Sequence, residues 1–207
     1  ALQVAAYILV AGSIWRFVGI MLLKEKADYS EPRQSAGLLA ALKVIYTRSF
    51  TAAPFKAATL YPKILAYVMH LGLFAVVLLF VPHIMFFEGF LGFEWPGLPN
   101  NVIYLLGVAA VVASFALLVR RLTSPVLKLI SNFDDYFSWF VTVFPLITGL
   151  MIPVRMGLRY ETILAIHILS VALLMIWLPF GKLGHTFLVF ITRGTTGMVF
   201  ERRGAKT

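Results

Sequence analysis

The charges of this chain divide it into five apolar runs, at about 1–23, 62–87, 101–119, 136–154 and 162–190. Crossing the hydrocarbon of a bilayer takes a helix of roughly 20 residues, so each run is long enough to be a span. Of the 207 residues 60% are apolar and 13% charged, which leaves room for these spans and for no large domain outside them. The expected fold class is an all-α integral membrane protein: a five-transmembrane-helix bundle forming a single domain over 1–207. Residues 1–23 have no basic n-region and no evident cleavage site, and are read as a retained span.

Charged residues punctuate the runs. Lys24, Lys26 and Arg33 close the first, and Lys63 opens the second, which passes through Glu88 into the turn-rich EGFLGFEWPGLPNN. Arg120 and Arg121 end the third run. Asp134 and Asp135 mark the start of the fourth as a helix N-terminus, and Arg155 and Arg159 separate it from the fifth. Lysine and arginine are distributed unevenly: 15 of the 18 lie in 24–63, in 120–128 or from Lys182 onward. By the positive-inside rule those segments face the cytoplasm, so the N-terminus is expected outside and the C-terminus inside. The same arrangement accounts for the net charge of +9 without a nucleic-acid partner, since the basic residues flank apolar spans and form no soluble patch. The partner these charges suit is membrane lipid.

Residues 34–60 are too interrupted to span. Leu38, Leu39, Leu42, Ile45 and Tyr46 recur at helical spacing with Lys43 and Arg48 among them, the pattern of a helix lying at the cytoplasmic interface. Such a helix either rests on the membrane or offers a platform to a cytoplasmic partner.

No cysteine is present, which excludes thiolate metal sites, cysteine-ligated clusters and disulfides. A metal would be held by the four histidines, and all four fall inside two runs: His70 and His83 in the second, His167 and His185 in the fifth. Ionisable groups inside a membrane are costly and usually functional, and a neutral imidazole on a metal avoids much of that cost. The alternative use is a hydrogen bond to a neighbouring helix. Because the two runs cross in opposite directions, His83 comes level with His167 and His70 with His185. His167 and His185 are eighteen residues apart, five helical turns or about 27 Å, so both are expected on one face. On an ideal helix His83 is turned about 140° from His70, a mismatch that a kink at Pro82 would relieve.

Two facing imidazoles at each of two depths suit bis-histidine ligation of two haem irons, with His70 and His185 as the inner pair and His83 and His167 as the outer pair. Gly72, Ala75, Ser170, Gly181 and Gly184 are expected to leave space for flat macrocycles. Lys182, Arg120, Arg121 and Arg16 are candidates for haem propionates, with snorkelling to the interface as the other use of such residues. A quinone pocket is expected on the outer side near His83, Glu88, Trp95 and Asn101, where Glu88 would exchange a proton and Trp95 either lines the pocket or anchors the loop.

The motifs MHLGLF at 69–74, RRLTSP at 120–125, ITGLMIP at 147–153 and HILSVALLMIWLPFGKLGH at 167–185 carry a resemblance. From about residue 36 the chain resembles the membrane cytochrome b subunit of respiratory nitrate reductases, the gamma subunit, and its relatives in sulfite-reduction-associated and heterodisulfide-reductase-type complexes. The stretch HIMFFEGFLGFEWPGLPNN is more similar to the sulfur-metabolism relatives. The resemblance implies two haem b groups held by His70 with His185 and by His83 with His167. It further implies a quinone, menaquinone or ubiquinone, reacting near the outer haem, and electrons passing through the inner haem to a cytoplasmic-side iron–sulfur subunit. The setting implied is the cytoplasmic membrane of a prokaryote. Two other functions fit an apolar bundle with internal histidines, a haem-free membrane anchor and a transporter or channel with an imidazole-lined route.

Overall fold

A computed structural model of the chain describes residues 1–23, 29–50, 53–155 and 157–205. Helices make up 82% of it, and there is no strand among the described residues. Five helices are long and apolar enough to cross a membrane: α1 (Leu2–Met21), α3 (Lys56–Leu79), α5 (Asn100–Thr123), α7 (Phe133–Val154) and α8 (Tyr160–Trp177). Four shorter ones connect or follow them: α2 (Leu38–Ser49), α4 (Val81–Leu91), α6 (Pro125–Ile130) and α9 (His185–Arg202). Lys24 and Lys26, expected to close the first span, lie outside the described residues.

Local chemistry sets most of these boundaries. Ser124 precedes Pro125, and the residue before proline is pushed out of the α region, so α5 stops at Thr123. Arg120 and Arg121 occupy its last turn, where cations meet the negative end of the helix dipole. The helix start expected at Asp134 and Asp135 falls slightly earlier: Asn132 precedes the first turn, and its backbone N–H donates to the Asp135 carboxylate at 3.0 Å.

Two expected spans are not continuous helices. The run 62–87 divides at Phe80, whose backbone is extended (φ −82°, ψ 122°), into α3 and α4. Pro82 enforces the division because it has no N–H to continue the ladder. The run 162–190 divides likewise: α8 ends at Trp177, Pro179 follows, Gly181 is extended, and a single 3₁₀ turn at Lys182–Gly184 leads into α9. The five-turn spacing of His167 and His185 on one helix face is therefore not realised, since His185 is the first residue of a new helix. The helix α9, not anticipated as an element, packs on α2, with Gly194 against Ala41 and Gly197 against Ala40 and Val44.

The spans pack in the order α3, α5, α7, α8, α1, and among the described residues α3 and α8 do not form a packed pair. The α3–α5 contact is close because its residues are small: Gly72 and Ala75 on α3, and Gly107, Ala110 and Ala113 on α5, are all buried. Small residues let helices approach where no hydrophobic driving force separates lipid from protein. A Cβ on Gly72 would stand 2.5 Å from the Leu106 carbonyl oxygen. Further along, the Trp139 indole donates to the Ser114 carbonyl at 2.9 Å and ties α7 to α5.

Gly72→Ala should therefore lower stability in detergent by about 1–3 kcal/mol, the cost of overpacking an interior. Gly19→Ala, on α1 with no atom within 4 Å of the added methyl, should be neutral or stabilising by up to about 1 kcal/mol. Thermal unfolding of the two variants side by side checks both signs.

Candidate functional site

The two helix breaks determine where the imidazoles lie. Ending α3 at Leu79 strands its last carbonyls, and each needs a donor from elsewhere. His83 Nδ1 lies 2.8 Å from the Val76 oxygen, the Trp95 indole donates to Leu78 at 2.6 Å, and the Leu98 backbone N–H donates to Leu79 at 2.8 Å. Trp95 thereby replaces the N–H that Pro82 lacks. The break also redirects His83, which resolves the mismatch in facing that a continuous helix would have imposed.

The corner between α8 and α9 is held differently. The Asp134 carboxylate accepts from the Lys182 backbone N–H with both oxygens at 3.1 Å and from the Ser138 hydroxyl at 2.6 Å. The Trp177 indole donates to Ser138 Oγ at 2.9 Å. Beside this, the Asp135 carboxylate pairs with Arg121 at 3.0 Å and with the Lys182 ammonium. The first turn of α7 thus fixes the loop that delivers His185.

The histidines meet as two pairs. The ring centres of His70 and His185 are 6.0 Å apart with planes at 73°, and those of His83 and His167 are 6.2 Å apart with planes at 5°. Each pair joins a histidine inside a span, His70 of α3 or His167 of α8, to one that opens a helix after a proline break. The pairing by level expected from opposed chain directions is what the structure places together, although α4 and α9 supply half of it.

Nδ1 is engaged in every ring. It lies 2.7 Å from the Ala66 oxygen in His70, 2.8 Å from Val76 in His83 and 2.8 Å from Lys182 in His185. A carbonyl only accepts, so these three nitrogens carry the proton and leave Nε2 with its lone pair in the neutral ring. In His167, Nδ1 is 3.1 Å from the Thr148 hydroxyl, which itself donates to the Phe144 carbonyl at 3.0 Å and touches Ser170 Oγ at 3.1 Å. Holding one ring nitrogen in this way orients the other for a metal.

The separations carry chemical information. Two imidazoles on opposite sides of one metal put their ring centres about 6.2 Å apart, given bonds of about 2.0 Å and about 1.1 Å from nitrogen to ring centre. The observed 6.0 and 6.2 Å match that spacing. No group of three or more histidine or carboxylate donors gathers among the described residues, and the imidazoles meet in twos.

Several other candidates are placed differently than expected. Gly72 is occupied with α5, Ser170 with the His167 carbonyl, and a Cβ on Gly181 would collide with the Trp177 indole and the Asp134 carboxylate, so these small residues serve packing and turn geometry and not open space. Lys182 and Arg121 converge on Asp135. Arg120 lies one residue earlier in the last turn of α5. Arg16 stands out: its guanidinium lies 3.9 Å from where a Gly184 Cβ would be, and its Nε is buried without a hydrogen-bond partner among the described residues.

A cavity of about 370 Å³ is lined by Val81, Ile84 and Met85 of α4 together with Glu94, Trp95 and Gly97 of the following loop. Trp95 was anticipated there. His83, Glu88 and Asn101, expected at such a pocket, do not line it, and Glu94, which the sequence offers no reason to single out, is the one carboxylate among its lining residues. Thr148, Asp134 and Ser138 are likewise visible only in three dimensions.

The chain is 28% identical over 207 residues to a protein of Nitratidesulfovibrio vulgaris (strain Hildenborough), covering 96% of this chain and 88% of that one. No protein-family model and no solved structure matches it.

Replacing Trp95 by Phe keeps the ring but removes the donor to Leu78, a carbonyl that Pro82 cannot satisfy. The variant should lose about 1 kcal/mol, the net worth of one hydrogen bond, in detergent unfolding.

Proposed function

We propose that this protein is a dihaem b-type cytochrome subunit that exchanges electrons between a membrane quinone pool and a cytoplasmic-side iron–sulfur subunit. The observation that carries the reading is the two imidazole pairs at 6.0 and 6.2 Å, with Nδ1 anchored in each ring. In this reading His70 with His185 hold the inner haem and His83 with His167 the outer one. Each haem, when bound, would supply reversible one-electron chemistry at its iron. The absence of direct packing between α3 and α8 is consistent with groups lodged between them.

The chain's own residues bind, orient and balance charge. The carbonyls of Ala66, Val76 and Lys182 and the Thr148 hydroxyl fix the ring tautomers and raise the basicity of Nε2. Arg16 would supply the inner propionate contact, giving its buried Nε a partner; Lys182 and Arg121, which share the single Asp135 carboxylate, are secondary, and Arg120 stands at the same helix end. On the outer side a quinone ring would occupy the cavity between α4 and the following loop, against Met85 and the Trp95 indole. Glu94 there takes the proton-exchange role first considered for Glu88.

The five candidate spans support a multi-pass membrane protein. The distribution of basic residues favours an orientation with the α2 and α9 side inward, where the iron–sulfur partner would dock, and the resemblance implies the cytoplasmic membrane of a prokaryote.

Protein produced with haem supplied should show the sharp alpha band of six-coordinate b-type haem in a reduced-minus-oxidised spectrum, at two haems per chain. His185→Ala and His70→Ala should each leave one haem, as should His83→Ala and His167→Ala, and His70→Ala combined with His167→Ala none. Folded protein that takes up no haem would favour the anchor or transporter functions, and single variants that all retain two haems would refute the pairing.

Glu94→Gln should keep the haem content but slow reduction by a quinol about 100-fold, the usual size of a lost acid–base group. Stopped-flow absorbance with a water-soluble quinol measures it.

A further inference from the structure

A second cavity, of about 460 Å³, lies where the end of α2 meets the start of α3, and its lining differs in kind from the first. Lys56 and Lys63 project into it together with Phe50, Leu60, Ile64 and Tyr67. Residues 56, 60, 63 and 67 follow helical spacing and share one face of α3. Along the axis the two lysines are about 10 Å apart, within reach of a single anionic group once their long side chains bend toward it.

Among the described residues no acidic side chain lines the cavity, and none occupies the first turn of α3. Neither lysine takes part in an ion pair among the described residues. The Tyr67 hydroxyl donates to the Ser49 carbonyl, an acceptor stranded at the end of α2, and so joins the two helices across the cavity floor. Phe50, Leu60 and Ile64 stay largely exposed around it.

We infer that this cavity binds an anionic phospholipid, with Lys56 and Lys63 bracketing the phosphodiester and Phe50, Leu60 and Ile64 covering the first methylenes of the acyl chains. Two uncompensated ammonium groups select a headgroup of net negative charge and repel the quaternary ammonium of a choline lipid. The apolar wall favours a lipid over a free phosphate ion, which would leave it uncovered. This site does not involve the imidazole pairs, and its test stands whether or not the chain binds haem.

The experiment is native mass spectrometry of the full chain, titrated with phosphatidylglycerol or phosphatidylcholine and with inorganic phosphate as competitor. Phosphatidylglycerol should bind preferentially and should not be displaced by phosphate. K56Q/K63Q should weaken it about thirtyfold, the loss expected for two juxtamembrane cations, and K56R/K63R should restore it. If the double glutamine variant loses its helical circular dichroism, K63Q alone, expected to lose about fivefold, carries the test. Equal retention of the choline lipid, displacement by phosphate, or undiminished binding to a folded glutamine variant would each overturn the inference.

Discussion

The structure depends on one constraint: a backbone carbonyl in an apolar medium must find a donor. A proline inside a span removes a donor, so either the helix ends there or some other group replaces the bond. At Pro82 and at Pro179 the helix ends, and replacement comes from groups distant in sequence. Trp95 and Leu98 return from the loop before α5 to close α3, and His83 reaches back to Val76. At the second break the donor and acceptor roles are reversed: the Lys182 N–H is the stranded group, and the Asp134 carboxylate of α7 receives it.

The same bonds that repair these breaks orient imidazoles, which links fold to site. His83 turns toward His167 because its Nδ1 is held by a carbonyl that the break released. His185 faces His70 because it opens α9, with Nδ1 directed at the carbonyl three residues earlier. The different anchors leave the two pairs unlike: the rings linked through Val76 and Thr148 are parallel within 5°, whereas those held by carbonyls of their own turns are near perpendicular, at 73°.

Much of the fold was legible in the sequence because its dominant signal, the length of apolar runs, is a property of single segments. All five candidate spans were visible in this way. What the runs concealed was continuity, since a proline in a run of this kind is compatible with a kink or a full break, and tertiary donors decide which. A break is foreseeable at Pro82 and less so at Pro179, so the common face expected for His167 and His185 from helix phase is what the structure does not follow. The pairing by level survives because it rests on chain direction, which a break does not alter. Thr148, Ser138 and Glu94 could not be read, since their significance depends on contacts that no local pattern encodes: Thr148 to His167 across 19 positions, Ser138 to Trp177 across 39, and Glu94 in a cavity shared with Val81, Ile84 and Met85 of α4.

Packing order explains why the imidazoles meet at all. The helices follow one another from α3 through α5, α7 and α8 to α1, and the small residues that permit close approach are concentrated between α3 and α5. Close contact there draws α3 toward α5 and leaves it without a packed interface to α8. The two are instead related through ring pairs, one between α3 and α9 and one between α4 and α8, and both include a residue just past a proline. Were α4 a straight continuation of α3, His83 would keep the facing of an unbroken helix, about 140° from that of His70. The prolines that interrupt two spans are thus what allow one arc of helices to present two pairs of histidines, both with Nδ1 engaged and Nε2 available, at two separate levels.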